Sequence, residues 1–195
     1  MSTLDTDLFL ALNAGANPNP YIALFAIAVT RFAILLVPCY IAVLWLQGSR
    51  RRRLLAFALV LALVIAIVLS FLTGLVIFRP RPFMVGLGNS LVEHRPSASF
   101  PSNHTLVFAV CATVLALVRQ YGAAFLAAVI GLLVAWSRVY VGVHYPSDLL
   151  GGVILGIPAA MIALAVTARY GTAIVAAAES LQYRLTSSLP KLGRR

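Results

Sequence analysis

The sequence predicts an all-α membrane protein: a polytopic helix bundle with about five transmembrane helices and an N-terminal interfacial helix. Three observations carry this expectation. Of the 195 residues, 62% are hydrophobic and 10% are charged, where soluble domains carry roughly 25% charged residues; the mean hydropathy is +0.98. Apolar stretches recur at the length a spanning helix needs, about 20 residues with a range of roughly 17–25. The basic residues gather in short runs between or after those stretches. A chain of this length allows one compact bundle over residues 1–195 and no second domain.

The elements follow in order. Leu4 to Leu12 is too short to span and reads as a helix lying at the headgroup level. Tyr21 to Leu46 and Leu54 to Phe78 are the first two spans. Thr105 to Val118 is the third, extended if its helix starts at Ser102. Ala123 to Tyr140 and Leu149 to Ala168 complete the set, and the chain after Gln182 is expected to be a basic, mobile tail. Asp5 and Asp7, with no basic residue before the first apolar stretch, argue against a signal peptide.

A net charge of +10 resembles a nucleic-acid signal, but its placement excludes that reading. Arg50 to Arg53 form one run between apolar segments, and Arg169, Arg184, Lys191, Arg194 and Arg195 follow the last span. This is a topology signal, with contact to anionic lipid as a further use. Placing Arg50–Arg53 in the cytoplasm puts the N-terminus, the Arg79–Pro101 segment and the Val141–Ser147 segment outside. Arg119–Gly122 and the C-terminus fall inside. Cys39 and Cys111 lie in apolar segments and read as small core residues. There is no Cys/His set with metal spacing, so neither metal nor cofactor is expected.

Three polar clusters interrupt the apolar pattern, and the topology places all three on the external side. The first is Arg79-Pro80-Arg81-Pro82, whose guanidinium forks match phosphate oxygens. The second is Pro101-Ser102-Asn103-His104. Ser102 is placed to cap the following helix, whose N-terminus presents free N–H groups to an anion. The third is Ser137-Arg138-x5-His144-x3-Asp148. Four residues apart, His144 and Asp148 meet across one helical turn. A carboxylate on one ring nitrogen fixes the tautomer and leaves the other nitrogen free to attack. Ionisable groups at membrane depth mark function; two histidines, three arginines and one aspartate suit phosphate chemistry. Arg31, deep in the first span, is expected to face a polar partner inside the bundle.

These residues resemble the type 2 phosphatidate phosphatase superfamily, whose signature is Lys-x6-Arg-Pro, Pro-Ser-Gly-His and Ser-Arg-x5-His-x3-Asp. Ser137, Arg138, His144 and Asp148 match the third part in full. The second is matched with Asn103 in place of Gly. The first is matched in Arg81-Pro82, with Gly74 at the Lys position. The resemblance covers residues 70 to 150. Phe78-Arg79-Pro80-Arg81-Pro82-Phe83 and Ser99-Phe100-Pro101-Ser102-Asn103-His104 look like the bacterial undecaprenyl-diphosphatase branch, which often carries Asn or Asp for that Gly and tends to lack the Lys.

The resemblance implies metal-free hydrolysis of undecaprenyl diphosphate, a membrane lipid diphosphate, at the external face of the bacterial inner membrane. It implies His144 as nucleophile, Asp148 orienting it and His104 as proton donor. Arg81, Arg138, Ser102 and Asn103 would hold phosphate oxygens, with Arg79 replacing the missing Lys charge. Alternatives are a phosphatase for phosphatidylglycerophosphate, phosphatidate or lipid A, or a lipid phosphotransferase. A haloperoxidase shares the anion pocket but is usually soluble. A lipid-phosphate carrier of another class would need the arginines but not two histidines and an orienting Asp.

Overall fold

The computed structural model describes residues 3–187. Those residues form α1 (Thr3–Leu12), α2 (Pro20–Phe32), α3 (Leu36–Leu46), α4 (Arg50–Val76), α5 (Asn103–Leu117), α6 (Tyr121–Tyr140) and α7 (Pro146–Ser187), with no strand among them. Short 3-10 turns at Ala33–Leu35 and Pro82–Val85 complete the set. Pro20–Leu46, α4, α6 and α7 are each long and apolar enough to cross a membrane, and α5 is a shorter apolar helix of 15 residues. The chain is a multi-pass membrane protein.

The packing is that of a bundle surrounded by lipid. Small residues meet inside: Ala56, Ala58, Ala62 and Ala66 of α4, and Ala159, Ala160 and Ala163 of α7, are buried. Large apolar side chains such as Val64, Phe71, Leu132 and Ile154 point outward. Hydrocarbon lipid tails give large side chains no reason to hide, so helices associate through close backbone approach. Helix α5 sits centrally and packs on α4, α6 and α7.

Caps explain the boundaries. Asn19 Oδ1 accepts from Tyr21 N and Ile22 N, with Pro20 in the first turn of α2. Ser49 Oγ accepts from Arg52 N, so α4 begins at Arg50 and the arginine run forms its first turn rather than a loop. Helix α7 runs well beyond the expected end at Ala168. Its 42 residues extend about 63 Å at 1.5 Å per residue. The extension is held by Arg53 to Glu179 at 2.7 Å and Trp45 Nε1 to Gln182 Oε1 at 2.9 Å. The tail expected after Gln182 is thus helical through Ser187; its remainder lies outside the described residues.

Two expectations are corrected. Arg31 is exposed on the outer surface of α2, not turned into the bundle. The inward stripe of α2 is Ala26 and Thr30, one helical turn apart, and Thr30 Oγ1 donates to Ser137 Oγ at 2.9 Å. Arg31 is one residue, about 100°, off that stripe. Cys111 is buried as expected, but Cys39 is exposed.

At the end of the bundle opposite the start of α4, α1 docks on α6 and α7. Phe9 is buried against Val139 and Tyr145, and Asn13 Nδ2 donates to Asn89 O (2.9 Å) and Tyr140 O (3.1 Å). The segment between α4 and α5 folds over the same end, tied by Ser99 N to Arg79 O at 2.7 Å and Leu91 N to Val141 O at 3.1 Å.

Candidate active site

Two glycines bring the three polar clusters together. Gly142 has φ +84°, and a Cβ there would lie 2.2 Å from Asn89 O. Only glycine allows this left-handed turn against the overlying segment, which aims Val143 and His144 inward. On Gly152 a Cβ would lie 2.8 Å from Ser102 O. Its absence lets the first turns of α5 and α7 touch, and Ser102 N donates to Asp148 O at 2.9 Å. Arg81, Ser102, Arg138, His144 and Asp148 are all buried. His104 is half-buried and Asn103 exposed beside them.

The His144 tautomer follows from its partners. Arg81 Nη1 lies 3.1 Å from His144 Nε2, and a guanidinium can only donate. Nε2 therefore carries the lone pair and Nδ1 the proton, which it donates to Asp148 Oδ2 at 3.3 Å. Oδ2 also accepts from Tyr145 N at 2.8 Å and from Ser99 Oγ. The bond from Tyr145 N is the reach-back of a helix capping box. Asp148 is thus both helix cap and imidazole partner. Burial pushes the His144 pKa down to about 3, against the opposing hydrogen bond to Asp148, and Arg138 and Arg81 add to the depression. Burial thus favours the neutral ring, with the lone pair on Nε2.

The two guanidinium groups near His144 are under-satisfied. Arg81 Nη1 donates to Val143 O (2.9 Å) and Nη2 to Ala98 O (3.0 Å) and Ser97 Oγ (3.3 Å). Its Nε and that of Arg138 are buried without a hydrogen-bond partner among the described residues. Burial brings the Arg81 pKa down to about 10, so it stays charged at neutral pH. Buried cations with spare donors suit an anion.

Several expected residues have different surroundings. Ser102 occupies the N-cap position, but its hydroxyl caps no amide; it accepts from Thr105 Oγ1 at 3.3 Å. Asn103 Oδ1 accepts from Ser70 Oγ at 2.5 Å, which leaves its backbone N–H in the first turn of α5. Gly74, at the Lys position, faces Ala98. Arg79, expected to supply that Lys charge, is engaged by side chains of this chain. Its Nη1 donates to Asp148 Oδ1 at 2.9 Å and to Ser147 Oγ at 2.5 Å, its Nη2 pairs with Asp5, and its guanidinium lies 4.0 Å over the Tyr145 ring. Two carboxylates, Asp5 and Asp148, claim the fork.

The sequence left three contributors unassigned. Ser99 is wholly buried on Asp148. His94 lies near Arg81 and Arg138; burial, with those cations, pushes its pKa down. Asp5 comes from α1: burial alone would raise its carboxyl, but hydrogen bonds from Arg79 and Ser147 hold it below the usual range. Spacing gives no sign of Ser99 or Asp5, because each acts through contacts between distant segments.

Known proteins resemble this chain over most of its length. Residues 53–171 match the family model described as the PAP2 superfamily. The putative undecaprenyl-diphosphatase YbjG of Escherichia coli (strain K12) is 31% identical over 191 residues, covering 97% of this chain and 96% of that protein. The undecaprenyl-diphosphatase BcrC of Bacillus subtilis (strain 168) is 29% identical over 154 residues, 79% of each. The crystal structure of Aquifex aeolicus LpxE matches with a TM-score of 0.69 at 26% identity, covering 84% of this chain and 96% of that one. The matched family region contains all three polar clusters, and the chain belongs to the PAP2 superfamily, known also as the type 2 phosphatidate phosphatases.

Proposed function

We propose that this protein hydrolyses undecaprenyl diphosphate to undecaprenyl phosphate and inorganic phosphate, recycling the lipid carrier of cell-wall synthesis. The observation that carries the chemistry is His144: Nδ1–H is held by Asp148, and the Nε2 lone pair faces the buried guanidinium of Arg81, with a spare buried N–H on Arg81 and on Arg138. The relatives named undecaprenyl-diphosphatase over nearly the whole chain support the substrate.

The terminal phosphate is held by Arg81, Arg138, Ser102 and the first amides of α5. Arg81 passes its Nη1 hydrogen bond from Nε2 to a phosphate oxygen, which frees the lone pair. Nε2 attacks phosphorus, an N–P bond forms, and the bridging P–O bond breaks. His104, which takes up a proton as the anionic headgroup binds, gives that proton to the leaving undecaprenyl phosphate. Asp148 balances the positive charge on the phosphorylated ring. His104 then takes a proton from water, whose oxygen attacks phosphorus; the N–P bond breaks and inorganic phosphate leaves. Splitting one displacement into two, each stabilised by preplaced donors, lowers both barriers.

The site lies at the outer end of a bacterial inner-membrane bundle, on the face opposite the arginine-rich start of α4. There a diphosphate headgroup meets it while the chain stays in the bilayer. Phosphate release by the purified protein from a panel of lipid phosphates, with chelator present, tests the proposal. Fastest turnover on undecaprenyl diphosphate is expected. Preference for phosphatidylglycerophosphate, phosphatidate or lipid A would reassign the substrate, and tight binding without release would make the protein a carrier.

A further inference from the structure

We propose that Asp5, on the N-terminal helix and outside the matched family region, is a positioning residue for phosphoryl transfer that acts through Arg79 and Asp148. The proposal rests on His144 and Asp148 being the reacting pair. The chain of contacts is continuous: Asp5 to Arg79 Nη2, Arg79 Nη1 to Asp148 Oδ1 at 2.9 Å, and Asp148 Oδ2 to His144 Nδ1 at 3.3 Å. Asp5 is itself fixed at both oxygens. Oδ1 accepts from Ser147 N at 2.9 Å and Oδ2 from Ser147 Oγ at 2.7 Å. Ser147 Oγ in turn accepts from Arg79 Nη1. The guanidinium is clamped from below by the Tyr145 ring, and Tyr145 packs on Phe9 of α1, with ring centroids 5.6 Å apart. One short helix thus supplies the carboxylate and, through Phe9, the support for the Tyr145 ring beneath the arginine behind Asp148.

The charge count says what Asp5 does. Arg81 and Arg138 lie on the pocket side of His144, and the ring becomes cationic when it is phosphorylated. Asp148 alone opposes that charge with −1. Arg79 on Oδ1 cancels it, and the Arg79–Asp148 pair nets zero. Asp5 restores the group behind His144 to −1 while keeping the orienting grip of Arg79. A carboxylate at this position does what a neutral hydrogen-bond acceptor cannot.

This gives a signature that loss of packing does not. Asp5→Asn removes negative charge behind the ring, so kcat falls roughly tenfold, in line with coupling inside charged networks. KM stays level or falls, and vanadate, an anionic mimic of five-coordinate phosphorus, binds as tightly as in wild type or more so. Asp5→Ser, which keeps a hydroxyl near Ser147, gives the same split. In Asp5→Asn/Arg79→Gln equal and opposite charges are removed, and kcat recovers above that of Asp5→Asn alone. The readouts are kcat per folded molecule, KM and vanadate affinity of the full-length protein in detergent. Unchanged kcat, raised KM with weakened vanadate binding, additive loss in the double variant, or failure of both single variants to fold would each overturn the proposal. His144→Ala is measured in parallel. Turnover surviving there removes the underlying mechanism, whereas normal Asp5 variants beside an inactive His144→Ala remove this inference alone.

Discussion

Asp148→Asn separates orientation from charge. The carboxylate has two unlike sides: Oδ2 serves three donors, His144 Nδ1, Tyr145 N and Ser99 Oγ, and Oδ1 serves Arg79 Nη1. An Asn side chain must give one side its carbonyl oxygen and the other its NH2. Facing the carbonyl to the three-donor side keeps three acceptor contacts and loses one; the reverse flip loses three. The carbonyl therefore stays on His144 and the tautomer is preserved. The change is then electrostatic. Opposite charges about 4 Å apart attract by about 4 kcal/mol at an effective dielectric near 20, and Arg79 on the same carboxylate offsets part of this. A loss of about 3–4 kcal/mol corresponds to roughly 10²–10³-fold in kcat, at about 1.4 kcal/mol per tenfold. That is less than the roughly 10⁴-fold loss seen where an Asp→Asn change reverses the tautomer of a triad histidine. Rapid-quench measurement of phosphoenzyme formation gives the rate directly. A loss below tenfold would mean that Asp148 serves only as the cap of α7.

Other expectations follow from the same contacts. His104→Ala lowers kcat about 10²–10⁴-fold, and the deficit shrinks with a substrate whose leaving group needs no proton; an equal deficit on both substrates would move the general acid elsewhere. Between pH 6.5 and about 3 the unfolded chain protonates His144 while the folded protein does not. The unfolded state then binds more protons, and stability falls with acidification by up to about 1.4 kcal/mol per pH unit. Denaturant titrations of His144→Gln should show a shallower acid slope; an identical slope refutes the buried neutral ring. Gly142→Ala forces a side chain into a left-handed turn 2.2 Å from Asn89 O, which costs about 2 kcal/mol or more and lowers the unfolding midpoint by several degrees; an unchanged midpoint would mean that the overlying segment is free to move. Turnover survives EDTA, because Arg81 and Arg138 make the pocket repel a divalent cation; loss with rescue by Mg²⁺ would contradict the covalent route.

Helix number and order were legible because apolar runs of spanning length have few alternatives, and the motif residues were legible because their spacing is rigid within one loop and helix start. His144 and Asp148 meet across four residues, as spacing predicts. Sequence is silent where contact depends on which way a helix is turned. Thr30 and Arg31 are neighbours, and only packing decides that Thr30 reaches Ser137 while Arg31 faces out. Arg79 and Arg81 look equivalent two residues apart in an extended segment, yet they lie on opposite sides of the His144–Asp148 pair. The extent of α7 was hidden for another reason: its second half is too polar to read as a span, and it is held by Arg53 and Trp45 from a distant helix end.

The most direct test of the account is the identity of the phosphorylated residue. The protein is quenched during turnover of undecaprenyl diphosphate labelled in the terminal phosphate, and the label is mapped by peptide. An acid-labile, base-stable phosphoryl group on His144, absent from His144→Ala and accumulating when the second step is slowed in His104→Ala with an activated leaving group, is the predicted result. Label on His104, or full turnover by His144→Ala, would contradict it.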